Sequence, residues 1–250
     1  MDYEVVKRAT EHEKARGHRL VPRSNINVDI YLHNVARGQT WDEGYVSADL
    51  LQEQFDIIHD TYLPYGIEMS LAGIDHTINP TWANNTVFSQ SEADMKNALH
   101  RGDYTDINIY IVDRLFYPDH INDTETHIDL GNDLGIQLYE VKGFTHFPVS
   151  GVTWYSDVIN DAVIISHIAI WGSNLTGKDE GKTAVHEIGH WFGLEHTFLR
   201  GCVGLGDGIE DTPVEDISNV TATGCPIGRD TCPDQPGLDP IHNFMDYTDE

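Results

Sequence analysis

Apolar and polar residues alternate through Ile26-Asn27-Val28-Asp29-Ile30-Tyr31-Leu32-His33, the period of two that marks a strand with one face buried. The spacing then lengthens. Leu51, Phe55, Ile58 and Tyr62 recur every three or four residues, which predicts a helix capped by Ser47 and ended by Pro64 and Gly66. Ile67 to Ile74 reads as a second strand. Ser89 and Glu92 have the spacing of a capping box before a short helix through Leu99, and Ile107 to Val112 forms a third strand. No clear period holds from 113 to 160. Ala162 to Ile170 is apolar and β-branched and predicts a strand, which can serve as an exposed edge for an extended peptide or be covered. A helix from about Lys182 to Gly193 follows. After His196, Gly, Pro, Asp and Cys replace the periodic pattern, the mark of an irregular lobe.

Composition narrows the class. The 250 residues are enough to bury a full core in one domain or two lobes. A formal net charge of −26 and a pI near 4.6 argue against nucleic-acid and anionic-membrane partners, which need clustered Lys and Arg. No apolar run reaches 18 residues, so no membrane span is predicted. Residues 1–24 hold six of the fifteen Lys and Arg beside four acids, a composition distinct from the rest. They read as an N-terminal extension, either a pro-segment tail suited to an acidic partner surface or a solvated arm. Leu20-Val21-Pro22-Arg23-Ser24 also resembles a thrombin cleavage sequence. Met1 to Leu20 lacks the apolar stretch of a signal peptide. N-glycosylation sequons at Asn84, Asn122, Asn174 and Asn219 nevertheless favour a secreted eukaryotic protein whose signal is absent from this chain.

The chemistry concentrates in His186-Glu187-Ile188-Gly189-His190-Trp191-Phe192-Gly193-Leu194-Glu195-His196. On a helix, His186 and His190 share one face about 6 Å apart along the axis, so two imidazoles can grip one ion. Gly193 permits the positive φ that ends the helix and returns the chain to deliver His196. Three protein ligands leave a fourth corner for water, which marks a catalytic zinc, and Glu187 is placed to take that water's proton. Downstream, His242-Asn243-Phe244-Met245-Asp246-Tyr247 has the form of a methionine turn. Asp207, Asp211 and Thr212 offer hard oxygens in a Gly-rich loop, as calcium prefers; a solvated acidic loop explains them equally.

These motifs resemble those of the metzincin metalloproteases, and within them the pappalysin family and its secreted fungal members. The resemblance rests on Gly193 to Phe198, on Gly206 to Pro213, and on Asn243 to Tyr247. It implies an α+β fold in which a twisted mixed β-sheet, a backing helix and the zinc helix occupy residues 25–196. An irregular, disulfide-containing lower lobe over 197–250 follows. It implies Tyr247 as hydrogen-bond donor to the oxyanion, Met245 as an apolar floor under the zinc, and calcium near Asp207. It also implies a Cys202–Cys232 bridge, with Cys225 pairing to a cysteine beyond the methionine turn, so the chain reads as stopping short of its lobe's end. The expected activity is endoproteolysis of extended polypeptides. A zinc-bound but inactive protein-binding module and a truncated fragment stand as the alternatives; cleavage specificity and oligomeric state are not legible.

Overall fold

A computed structural model describes residues 26–118, 138–148, 155–173, 180–217 and 226–248. These fall into two compact units, one ending at Trp191 and the other beginning at Phe192.

The first unit is built on a five-stranded mixed sheet. Strand β1 (Ile26–Ala36) pairs in parallel with β2 (Ile67–Ile78) on one side and with β4 (Ile107–Val112) on the other. Alternation of burial therefore holds only in the first half of β1; from Leu32 to Ala36 every residue is buried because the strand is central. Strand β4 pairs in parallel with β8 (Val163–Ser166), and β8 pairs antiparallel with β7 (Gly143–Thr145), giving the order β2-β1-β4-β8-β7. A second sheet joins β3 (Asn84–Thr86), β5 (Arg114–Pro118) and β6 (Leu138–Glu140). No helix among the described residues is long and apolar enough to cross a membrane.

Helix α1 (Ala48–Tyr62) forms where its periodicity predicts, and the Ser47 hydroxyl accepts from the N–H of Leu50. Its buried face includes Leu51, Phe55 and Ile58, but also Gln54, fully buried. The short helix α2 (Pro80–Ala83) precedes α3 (Gln90–Leu99). At the start of α3 the expected capping box is only half made. Ser89 caps the N–H of Glu92, but the Glu92 carboxylate reaches past it to the N–H of Phe88, 2.6 Å away. Phe88 adopts a left-handed φ of 63°, which turns its N–H towards that carboxylate.

Two expectations need correction. The apolar run Ala162 to Ile170 is not one strand: β8 stops at Ser166 and a 3₁₀ turn covers His167–Ala169. Nor is β8 an edge, since β4 and β7 flank it and all four of its residues are buried. The terminal strand is β7. It lies in the region where no period could be read, together with β5, β6 and the helix α4 (Tyr155–Asn160).

The last helix, α5 (Lys182–Trp191), carries the histidine motif. Ala184, Val185 and Ile188 bury one face of it. Two residues of α1 hold it in place. Gln54 donates from Nε2 to the carbonyl of Gly181 and accepts from the N–H of Trp171, both at 3.0 Å. Tyr62 donates its hydroxyl to the carbonyl of Val185 at 2.8 Å. Burial holds the Tyr62 phenol well above its ordinary pKa, so it stays a donor. Gly181, with φ of 72°, sits where a Cβ would come within 2.9 Å of Gln54 Oε1.

In the second unit no helix or strand occurs among the described residues. Its order comes from side chains. Cys202 and Cys232 form a disulfide with their Cα atoms 5.4 Å apart. Arg229 donates to three buried carboxylates, those of Glu215, Asp239 (2.7 Å) and Asp246 (2.9 Å). Asp239 in turn accepts from the N–H and the hydroxyl of Thr231, the residue before Cys232. Cys225 and residues 1–24 lie outside the described residues.

Candidate active site

Helical spacing stacks His186 and His190 on one face of α5. Their Nε2 atoms are 3.1 Å apart and their rings meet edge-on at 4.7 Å. The ring of Phe147, just beyond β7, packs against His190 at 5.0 Å. Gly193 takes a φ of 87°, a conformation in which a side chain would be strained, and the chain turns to His196. One nitrogen from each of His186, His190 and His196 falls within 4.8 Å of the others.

This donor set fits zinc. Two nitrogens on one tetrahedral zinc, each about 2.0 to 2.1 Å from it, stand roughly 3.3 Å apart, close to the His186–His190 separation. Three imidazoles, with no fourth protein ligand grouped with them among the described residues, match a catalytic rather than a structural centre. No other group of three His, Cys, Asp or Glu side chains among the described residues is arranged to hold a metal.

Glu187, next to the first histidine, is 6% exposed. Its Oε2 accepts from the hydroxyl of Thr145 at 2.8 Å. In the second unit, the ring of His196 stacks on Phe198 at 4.7 Å and meets Tyr247 edge-on at 4.6 Å. The Tyr247 hydroxyl is hydrogen-bonded to Nε2 of His196 at 2.9 Å. Met245 is buried, and its carbonyl accepts from the N–H of Thr197. The Thr197 hydroxyl donates to Glu215, whose carboxyl is pushed up to about 7 by burial, with Asp246 adding to the rise against Thr197 and Arg229.

The chain matches the profile of the peptidase family described as pregnancy-associated plasma protein-A over residues 132–250. An extracellular metalloprotease of Neurospora crassa is 39% identical over 229 residues, covering 92% of this chain and 70% of the relative. The chain belongs to the pappalysin family. A second extracellular metalloprotease, from Pyricularia oryzae, is 39% identical over 94% of this chain and 72% of its own length. Mature mirolysin of Tannerella forsythia, solved with a cleaved peptide, shares the fold with a TM-score of 0.62 at 23% identity, over 92% of this chain and 86% of that one. As a pappalysin, the chain is a zinc metalloprotease, and the mixed α+β fold expected from the motifs is the one observed.

The remaining expected sites are less concentrated. Asp207 is buried and accepts from the N–H of Ile209, whereas Asp211 is exposed. Burial pushes the Asp207 carboxyl upward. Asn84 of the first sequon is exposed at the start of β3; Asn122, Asn174 and Asn219 lie outside the described residues. Sequence reasoning missed Thr145, Gly143 and Phe147, for which a three-residue strand offers no periodic signal. Gln54 and Arg229 left a trace. The first is a polar residue inside an apolar stripe; the second is one of only two Lys or Arg residues after Trp191.

Proposed function

We propose that this pappalysin is a secreted endopeptidase that cuts extended polypeptides, with His186, His190 and His196 holding zinc and Glu187 as general base. The observation that carries the reading is the convergence of three imidazole nitrogens within 4.8 Å, with the buried Glu187 on the helix that bears two of them. A zinc ion in such a site supplies Lewis acidity towards a carbonyl oxygen and lowers the pKa of water from 15.7 to about 7. Glu187 accepts the proton of the attacking water on its carboxylate and returns it to the departing amine, a role worth roughly 10² to 10⁴ in rate. Tyr247 donates its phenolic hydrogen to the charge that develops on the carbonyl oxygen. Met245, buried in the second unit and bonded through its carbonyl to Thr197, contributes apolar packing next to the third histidine's segment.

An extended substrate would add to β7, the terminal strand of the sheet, rather than to β8. Secretion is supported by the extracellular relatives and by the exposed sequon at Asn84. The domain division proposed is an extension over 1–24, a lobe over 25–196 bearing the zinc helix, and a lobe over 197–250 bearing the methionine turn. One metal, zinc, is assigned.

The test is Glu187→Ala, assayed on casein with zinc measured by atomic absorption. Loss of cleavage with one zinc retained per chain is the expected result. Turnover like that of the unmodified protein would overturn the assignment of the base.

A further inference from the structure

Strand β7 is three residues long, and alternation sends Gly143 and Thr145 to one face and Phe144 to the other. Phe144 packs edge-on against Phe88 at 5.3 Å and His146 at 5.0 Å. The opposite face meets Glu187. The hydroxyl of Thr145 lies 2.8 Å from Glu187 Oε2 and 3.0 Å from the backbone carbonyl oxygen of the same residue. Both residues are almost fully buried. At Gly143, a Cβ would stand 2.3 Å from Glu187 Oε1, 2.6 Å from its Cγ and 2.7 Å from its Cδ. The carboxylate thus occupies room that only a glycine leaves free.

One hydroxyl within reach of a side-chain oxygen and the main-chain oxygen of a single glutamate ties that side chain back to its own helix. Its torsions are then set by β7, a strand 42 residues away in sequence, rather than by solvent. That matters for a base. A general base works only within hydrogen-bond reach of the proton it takes, and a displacement of about 1 Å at a reacting group can cost roughly 10²-fold in rate.

We infer that Thr145 is a positioning residue for the reaction, holding Oε2 of Glu187 so that the carboxylate faces the water it deprotonates, and that Gly143 provides the space in which it stands. The inference rests on Glu187 being the base. It also explains why the terminal strand passes so close to the active-site helix: the strand proposed to receive the substrate is the one that orients the base. Phe144, between the two, anchors the strand on its other face.

The experiment compares Thr145→Val, which keeps the shape and removes the hydroxyl, with Thr145→Ser, which keeps the hydroxyl. Each is assayed for kcat and KM on a quenched fluorogenic peptide, for zinc per chain and for thermal midpoint. Thr145→Val should lower kcat by 10- to 100-fold with KM within about twofold and zinc at one per chain, and Thr145→Ser should recover most of the loss. Gly143→Ala should lower kcat in the same way. A kcat within twofold of the unmodified protein for Thr145→Val would overturn the inference. So would equal loss in Thr145→Ser, or a loss confined to zinc content or midpoint. Glu187→Gln, run alongside, separates the two claims: an active Glu187→Gln sinks the base itself, whereas an inactive one beside a fully active Thr145→Val sinks only the positioning role.

Discussion

The N–H of Thr197 donates to the carbonyl of Met245 at 3.2 Å, joining the residue after the third histidine to the methionine of the turn. The bond sets His196, one residue before Thr197, against Tyr247, two residues after Met245. Their rings meet at 4.6 Å, and Phe198, stacked on His196 at 4.7 Å, also touches Tyr247 at 4.7 Å, so the three rings form one cluster. An imidazole packed against two aromatic rings that also touch each other has less freedom to rotate, which suits a metal ligand arriving from an irregular chain rather than from a helix.

Tyr247→Phe removes one hydroxyl and leaves the aromatic cluster with His196 and Phe198. If the phenol stabilises developing oxyanion charge, kcat should fall by about 10² to 10³, the equivalent of about 2.7 to 4 kcal/mol, while KM moves little. Steady-state kinetics on a fluorogenic peptide checks this. A change confined to KM would make Tyr247 a ground-state substrate contact.

Arg229→Met tests what orders the second unit. The guanidinium serves Glu215, Asp239 and Asp246 at once, and all three carboxylates are buried. Removing it leaves buried acids without a counter-charge, so a loss of about 3 to 5 kcal/mol is expected by thermal or urea unfolding. Arg229→Lys should recover little, since an ammonium has no planar fork to reach three acceptors. Because Asp246 neighbours Tyr247, activity should fall before the chain unfolds.

Much of the site was legible in sequence because its determinants are local. His186, Glu187 and His190 share a helix, and His196 follows one glycine-dependent turn, so spacing alone brings them together. The Ser47 and Ser89 caps and the strands around Ile30 and Ile109 were legible for the same reason. What escaped depends on partners far along the chain. Thr145 has meaning only beside Glu187, Gln54 only beside Gly181 and Trp171, and Arg229 only beside three acids spread over 32 residues. The apolar run Ala162 to Ile170 misled because a strand and a buried 3₁₀ turn have the same composition, and burial on both faces erases the period that would separate them.

Gly181→Ala probes how the zinc helix is held. The residue combines a φ of 72° with a Cβ position 2.9 Å from Gln54 Oε1, so the methyl group adds both backbone strain and a clash. A destabilisation of about 1 to 3 kcal/mol is expected. Gln54→Leu should cost a similar amount by leaving the Gly181 carbonyl and the Trp171 N–H unpaired. Thermal unfolding of each variant and of the double variant checks the coupling: the combined loss should be smaller than the sum, because both act on one contact.

The acid response should trace to Glu92. Its carboxylate pairs with fully buried Lys96, four residues along α3, and with His146, which follows Thr145, while the Lys96 ammonium donates to the carbonyl of Asn160 beside Asp161. Burial acts to raise the Glu92 pKa, but the His146 hydrogen bond and the Lys96 charge outweigh it and hold the carboxyl down at about 2. The folded value lies below the ordinary 4.5, so the stabilisation is complete above pH 4.5 and is lost as pH falls from there towards 2. That difference corresponds to about 3 kcal/mol. Asp161 and Glu215, which burial raises to about 7, have the opposite sign and gain stability as pH falls, so a single pH profile would mix them with Glu92. Comparing the unmodified protein with Glu92→Gln at each pH isolates the Glu92 contribution. The gap in unfolding free energy should be about 3 kcal/mol at pH 6 and shrink steadily below pH 4.5. A gap that stays constant down to pH 2.5 would mean that Glu92 contributes through packing and its bond to Phe88, not through its charge.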